Sequence, residues 1–395
     1  MSTITVIACR KVLNSHAQFT NEFIVQLDDG SVGIGASPQG ETVSIFEDRT
    51  VSVDPAMIVG KIRDDGYVGR SLQQVDLDSY LQQHIASFGR NNAYGLSLAF
   101  FAAAGASYPP GGLLGTPPAR PAPPRICLNI LNGGWHAYTN PVLSDFSEYM
   151  LVAKSNDIAE VIGQHNELQR VVKERLIARP KTVVSGNPVS CFEAADNREC
   201  IEFLLSARDS LGLAAAFDLM IDASAGDLRA ADGYRFAITG GRPLTGEALH
   251  DYWLDIIRQY DLRFLEDPFH ERDLERWQCL AAAQQTCHII GDNLYSSDAG
   301  RIEEGAARRC SHGVIIKPNQ AGTVTAVRRA LEAAQRTGQI AITSHRSIST
   351  ESTFLSWLTC MYGVEYIKIG PLMTDYSSVV RLNEIIRLTD GALCR

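Results

Sequence analysis

The chain has 395 residues, 45% of them hydrophobic, with a formal charge of −9 at pH 7. This length exceeds one small core and suits a small domain followed by one of barrel size. The acidic balance argues against a nucleic-acid partner, because binding the phosphate backbone needs a basic face. No run of about 18 apolar residues free of charges or turn breakers is present to cross a membrane.

The opening MSTITVIACRKVL enters a strand-like alternation without the basic, apolar and small-residue succession of an export signal. The nine cysteines are scattered without CxxC or metal-type spacing, as free thiols of a reducing compartment would be. The expectation is a cytoplasmic protein that uses neither membrane nor nucleic acid. Its partner would be a small anionic molecule held by local cations or a metal.

Residues 1–34 alternate with turn punctuation at Asp28-Asp29-Gly30, which predicts an antiparallel hairpin or meander. Gly35-Ala36-Ser37-Pro38-Gln39-Gly40 then breaks regular structure and reads as a mobile loop. From Leu72 to about Ala106 apolar residues recur every three or four positions, the helical period. Strands followed by helices imply a compact α+β domain over residues 1–124. The Pro- and Gly-rich stretch before Arg125 admits neither a helix nor a central strand and marks its end.

Over residues 125–395, short apolar runs end in charged or polar residues. These are Asp222, Glu266 with Asp267, Asp292, Lys317, His345 with Arg346, and Lys368. From Glu266 onward they stand 23 to 28 residues apart, about one strand-plus-helix unit, and amphipathic segments fill the gaps. This predicts an α/β fold, a (β/α)8 barrel whose strand ends converge on one mouth. One polar strand end is ordinary; six in succession are not.

Asp222, Glu266 and Asp292 would bring three hard carboxylates together, a donor set suited to Mg²⁺. Lys317 and Lys368 follow on later strands. A lysine crowded by other cations can serve as a general base, while a second stays charged and holds a carboxylate. His345-Arg346-Ser347 supplies a fork of donors and a hydroxyl for a phosphate or phosphonate.

At this point the sequence resembles enolase along nearly its whole length. The matching stretches are GAS at 35–37, GRNNAYGLSLA at 89–99, LNILNGGWHA at 128–137, FLEDP at 264–268 and GDN at 291–293. IIKPNQAGTVT at 315–325, SHRS at 344–347 and YIKIG at 366–370 complete the set. The resemblance implies a smaller α+β domain capping the barrel. It implies Asp222, Glu266 and Asp292 as ligands of one Mg²⁺, and Ser37 on a closing loop as ligand of a second. Lys317 would be the base beside the substrate carboxylate and Lys368 that carboxylate's partner. Arg346 and Ser347 would bind phosphate, His136 and His345 would line the pocket, and the protein would be a homodimer or larger homo-oligomer. Sites of this superfamily pair a Lys or His base with Mg²⁺ stabilising an enediolate.

The resemblance fails where enolase keeps two glutamates that assist loss of a hydroxyl. Nine residues after His136 stands Asp145, and Asn187-Pro188 replaces the Asp-Glu pair of a GDEGG motif. Glu193 is a conceivable substitute, and Asn293 stands where a second Asp is common. Losing a general acid costs about 10²–10⁴-fold. Enolate stabilisation is thus retained while leaving-group chemistry is altered. That pattern resembles the carboxyphosphonoenolpyruvate synthase type of enolase relative, which joins a phosphonoformyl group from a nucleotide-activated donor to an enolpyruvate unit. Trp135 would help shape the enlarged pocket. The alternatives are a phosphopyruvate hydratase working with Asp145 alone, and a non-catalytic enolase-like binding protein. A superfamily racemase or sugar-acid dehydratase fits the full-length resemblance less well.

Overall fold

The computed structural model describes residues 1–40, 44–47, 53–105, 121–134, 139–184 and 189–390. Trp135, His136, Asn187 and Pro188 lie outside the described residues.

The first strands form an antiparallel sheet: β1 (Ser2–Leu13), β2 (Phe19–Leu27), β3 (Val32–Ala36) and the short β4 (Ser71–Leu72), in the order β3-β2-β1-β4. Alternation along β2 sends Phe23, Val25 and Leu27 inward, onto Ile58, Leu77, Leu81, Leu96 and Phe100 of the helices Pro55–Asp64, Gln74–Gln83 and Arg90–Ala104. A side chain at Gly35 would place its Cβ 2.0 Å from the Gly95 carbonyl oxygen, so only glycine lets β3 lie this close to the helix. The segment expected as a loop from Gly35 begins as strand, because Ala36 still pairs with Glu22.

Eight strands close the barrel: β5 (Arg125–Asn132), β6 (Glu148–Ala153), β9 (Phe217–Asp222), β12 (Leu262–Glu266), β13 (His288–Gly291), β14 (Gly313–Ile316), β15 (Ile340–Ser344) and β16 (Tyr366–Lys368). Two ribbons, β7 (Lys181–Val183) with β8 (Ser190–Phe192) and β10 (Arg229–Ala230) with β11 (Gly233–Tyr234), stand outside it.

The barrel departs from a plain (β/α)8 order, because β6 runs antiparallel to both β5 and β9. Among the described residues between β5 and β6 there is no helix, and an antiparallel pair needs none. The consequence is positional. Seven strands bring their C-terminal ends to the mouth, whereas β6 brings its first residue, Glu148.

Below the mouth the interior is filled by Cys127, Met150, Met220, Phe264, Ile290, Ile315 and Ile342, so the barrel is a packed core with one reactive end. A second apolar layer, including Trp253, Trp277 and Leu331, seals the helices against its outside. Among the described residues no helix is long and apolar enough to cross a membrane.

Candidate active site

Strand pairing fixes the carboxylates. Asp222 and Glu266 are register partners on β9 and β12, and Asp292 follows directly after β13. The backbone amides of Asp292 and Asn293 donate to the Asp267 carboxylate at 2.9 and 2.8 Å, which pins the turn that aims Asp292 inward. Glu266 is fully buried, and Asp222 and Asp292 nearly so.

Lys368, at the end of β16, stands among them. Its Nζ lies 2.7 Å from Glu148 Oε2, 2.9 Å from Glu266 Oε2 and 3.5 Å from Asp222 Oδ2. Burial disfavours its charge, but Glu148, Glu266 and Asp222 outweigh it and hold the ammonium well above the ordinary lysine range. Burial raises Glu266 well above the carboxylate range, and the adjacent Asp222 adds to the effect. Burial also raises Asp222, against the pull of Lys368. Asp292 goes the other way: burial opposes its charge, but Lys317, whose Nζ donates to Oδ2, holds the carboxyl below its usual range.

The ensemble opens into a cavity of about 710 Å³, lined in part by Asn129, Glu148, Asp222, Lys317, Lys368 and Arg346, with His345 and Ser347 beside them. Burial and the cations Arg381, Lys368 and Lys317 push the His345 imidazole well below its ordinary range, which keeps it neutral. Arg346 meets Glu47 of the small domain, Nη1 to Oε2 at 3.2 Å, with both side chains almost fully buried. Glu47 Oε1 also accepts from Gln320 Nε2 at 3.1 Å, and that nitrogen lies 3.3 Å from Asp292 Oδ1. A Cβ at Gly40 would fall 1.7 Å from Arg346 Nη2, so glycine lets the chain after Ser37 lie directly on the guanidinium.

Of the expected residues, the mouth gathers Asp222, Glu266, Asp292, Lys317, Lys368, His345, Arg346 and Ser347. His136 lies outside the described residues. Ser37 is not gathered: its hydroxyl donates to Asn92 Oδ1 at 3.3 Å inside the small domain, and the residue is buried there.

Asp145 does not line the cavity either. Its carboxylate accepts from the Ile238 amide at 2.7 Å, the Thr239 hydroxyl at 2.6 Å and Asn197 Nδ2 at 3.2 Å, so its oxygens tie loops together away from the cavity. Glu193 is exposed and does not line the cavity. The acid at the mouth is Glu148, whose Oε1 accepts from Asn129 Nδ2 at 2.6 Å.

Among the described residues, no three acidic, cysteine or imidazole groups stand ready as a coordination shell; the lysines are interposed. The donor set still fits a hard divalent cation. It consists of buried carboxylate oxygens, two of them with proton affinities raised first by burial and then by neighbouring carboxylates, which a cation would relieve.

Comparison with known proteins agrees with this geometry. Residues 121–393 match the family model described as enolase, C-terminal TIM barrel domain. The chain belongs to the enolase family. Two relatives named enolase span it almost completely. That of Acidothermus cellulolyticus is 29% identical over 423 residues, covering 99% of this chain and 95% of its own. That of Kineococcus radiotolerans is 28% identical over 416 residues, covering 99% and 94%. Enolase-family membership makes this an enolase-superfamily enzyme.

Proposed function

We propose that this enolase-family chain stabilises the enolate of a three-carbon phospho or phosphono acid. We further propose that it joins a phosphonoformyl group, delivered from a nucleotide-activated donor, to an enolpyruvate unit. The observation that carries the reading is the pairing of a retained enolate-stabilising cluster with a cavity of about 710 Å³. That volume lies within the roughly 300–1,000 Å³ range of sites for drug-sized ligands, more room than a three-carbon acid needs.

In this reading Asp222, Glu266 and Asp292 hold Mg²⁺, and the ion when bound supplies charge stabilisation to the enolate. Lys317 takes the proton from the carbon beside the substrate carboxylate. Its Nζ donates to Asp292 here, and it would act as base after giving up a proton, which a cation held by Asp292 would favour. Lys368 holds the substrate carboxylate. Arg346 and Ser347 hold the phosphorus-bearing group, with His345 neutral beside them. The enolate oxygen attacks phosphorus in line, and the bond from phosphorus to the nucleotide breaks. From 2-phosphoglycerate the C3 hydroxyl must leave as water, for which Glu148 is the acid at the mouth, and the phosphoryl group on the C2 oxygen must pass to water or to the departing nucleotide before that oxygen can bond to the new phosphorus.

Phosphopyruvate hydratase is the second reading, and Glu148 favours it. That glutamate brings to the mouth the acid which the resemblance placed at Asp145. A non-catalytic role is the weakest reading, since it gives no reason to set a buried and a half-buried lysine among four carboxylates. The test is product formation from 2-phosphoglycerate with and without a cytidylyl-activated phosphonoformate. Conversion that depends on the donor supports transfer; rapid phosphoenolpyruvate formation without it establishes the hydratase.

A further inference from the structure

The cavity continues outward past the charged cluster, and the character of its walls changes. One outer wall is the turn between β1 and β2, which presents Ser15, His16 and Gln18. This turn is built rigidly. The Asn14 Oδ1 accepts from the amides of His16 and Gln18, both at 3.0 Å, and Ala17 closes it with φ of 56°. It is also tied to the barrel, because the Ser15 amide donates to the Ser349 carbonyl at 2.8 Å and the Ser349 amide to Ser15 Oγ at 3.1 Å.

The other outer wall follows β16. Thr374 and Thr139 share a hydrogen bond between hydroxyls at 2.6 Å, and Asp375 spends one carboxylate oxygen on the amide and hydroxyl of Ser377, at 2.8 and 2.6 Å. None of these outer residues is a lysine or an arginine. Among the described residues, the lysines and the arginine that line the cavity, Lys317, Lys368 and Arg346, are the strand-end cations of the charged cluster.

A site for a three-carbon phospho acid has no use for a fixed outer compartment of this kind. Its amide and hydroxyl groups match neither a second phosphate nor an apolar group. They match a neutral arm rich in hydroxyls and carbonyls, for which a carboxamide offers donor and acceptor together and a hydroxyl pair offers spare lone pairs.

We propose that this outer compartment is a second subsite that takes the sugar of a nucleoside monophosphate whose phosphate points to the inner anion clamp. The identity of the arm as a nucleotide rests on the transferase reading above. The existence of a polar subsite without lysine or arginine in its named walls rests on the two walls. Ligand binding then depends on Gln18 and Thr374, which lie on different domains and touch neither the carboxylates nor the lysines. The capping domain supplies one jaw of the subsite and the barrel the other.

The test is calorimetric titration of the full chain with Mg²⁺ present, using cytidine 5′-monophosphate and inorganic phosphate as separate probes. The monophosphate should bind about tenfold or more tightly than phosphate. Gln18→Leu and Thr374→Val should each cost it about tenfold, one or two hydrogen bonds' worth, while leaving phosphate binding unchanged. Thermal unfolding confirms that both variants fold. Equal affinities for the two probes, or variants that weaken both alike, would overturn the subsite. If the monophosphate binds as expected but no phosphonoformyl transfer occurs, the transferase reading falls and the subsite stands. If transfer occurs and neither variant changes nucleotide binding, the reverse holds.

Discussion

Lys368 Nζ and Glu148 Oε2, 2.7 Å apart, join the last strand of the barrel to the first residue of its one reversed strand. The same ammonium balances Glu266 and Asp222, so it is the counter-charge of a buried anionic cluster. Removing one partner of such a group leaves uncompensated charge, at a cost of about 3–5 kcal/mol. Lys368→Met should therefore lower the thermal unfolding midpoint markedly in metal-free buffer. Millimolar Mg²⁺ should restore more of it than in the parent protein, since binding to the folded state alone stabilises it. Scanning calorimetry with and without Mg²⁺ checks this, and equal metal responses in the two proteins would count against the metal assignment.

Glu148 and Asp145 make a matched pair of substitutions. Glu148→Gln removes a carboxylate at the mouth and should lower turnover by about 10²–10⁴-fold if that acid moves a proton. Asp145→Asn should instead lower stability by about 1–3 kcal/mol through loss of buried hydrogen-bond partners, with turnover per folded molecule little changed. Steady-state kinetics paired with denaturant melts separates the two; the opposite pattern would return Asp145 to the site.

Glu47 reaches from the small domain to Arg346 and engages a guanidinium that the substrate anion also needs. Replacing it by glutamine removes that internal competitor. Glu47→Gln should tighten inorganic phosphate binding roughly tenfold, about the worth of one charge-assisted hydrogen bond. Weaker binding would mean that Glu47 orients the arginine rather than competing for it.

Three histidines remote from the carboxylates set an acid limit on stability. Burial lowers His165, His288 and His312 below the ordinary 6.5. The unfolded chain then takes up more protons than the folded one as pH falls through about 6.5. Their contribution is present above that pH and is lost below it, on the way to the folded values. The unfolding midpoint should drop between pH 7.5 and 5.5, and His165→Gln should flatten the drop. An unchanged slope in that variant would remove His165 from the explanation.

The barrel was legible in the sequence because each parallel strand is a short apolar run that ends on a polar residue at the mouth. Asp222, Glu266, Lys317 and Lys368 all announce themselves in this way. Glu148 does not, because its strand is reversed and the acid begins the run SEYMLVA instead of closing it. Spacing also hid it: Glu148 follows His136 by twelve residues, not the nine that pointed to Asp145. Ser37 was placed by its position in a motif, and nothing local in the sequence shows that Asn92 would hold its hydroxyl. The Glu47–Arg346 pair joins residues 299 apart in the chain and could emerge only from the docking of the two domains.

The most direct test of an enolase scaffold turned to phosphonate chemistry is a Mg²⁺-dependent assay followed by phosphorus NMR. The purified chain is given 2-phosphoglycerate alone, and then with a cytidylyl-activated phosphonoformate. The expected result is a phosphonate enol ester that forms only with the donor and disappears in Lys317→Ala. Rapid phosphoenolpyruvate formation without the donor would contradict it and make this chain a phosphopyruvate hydratase.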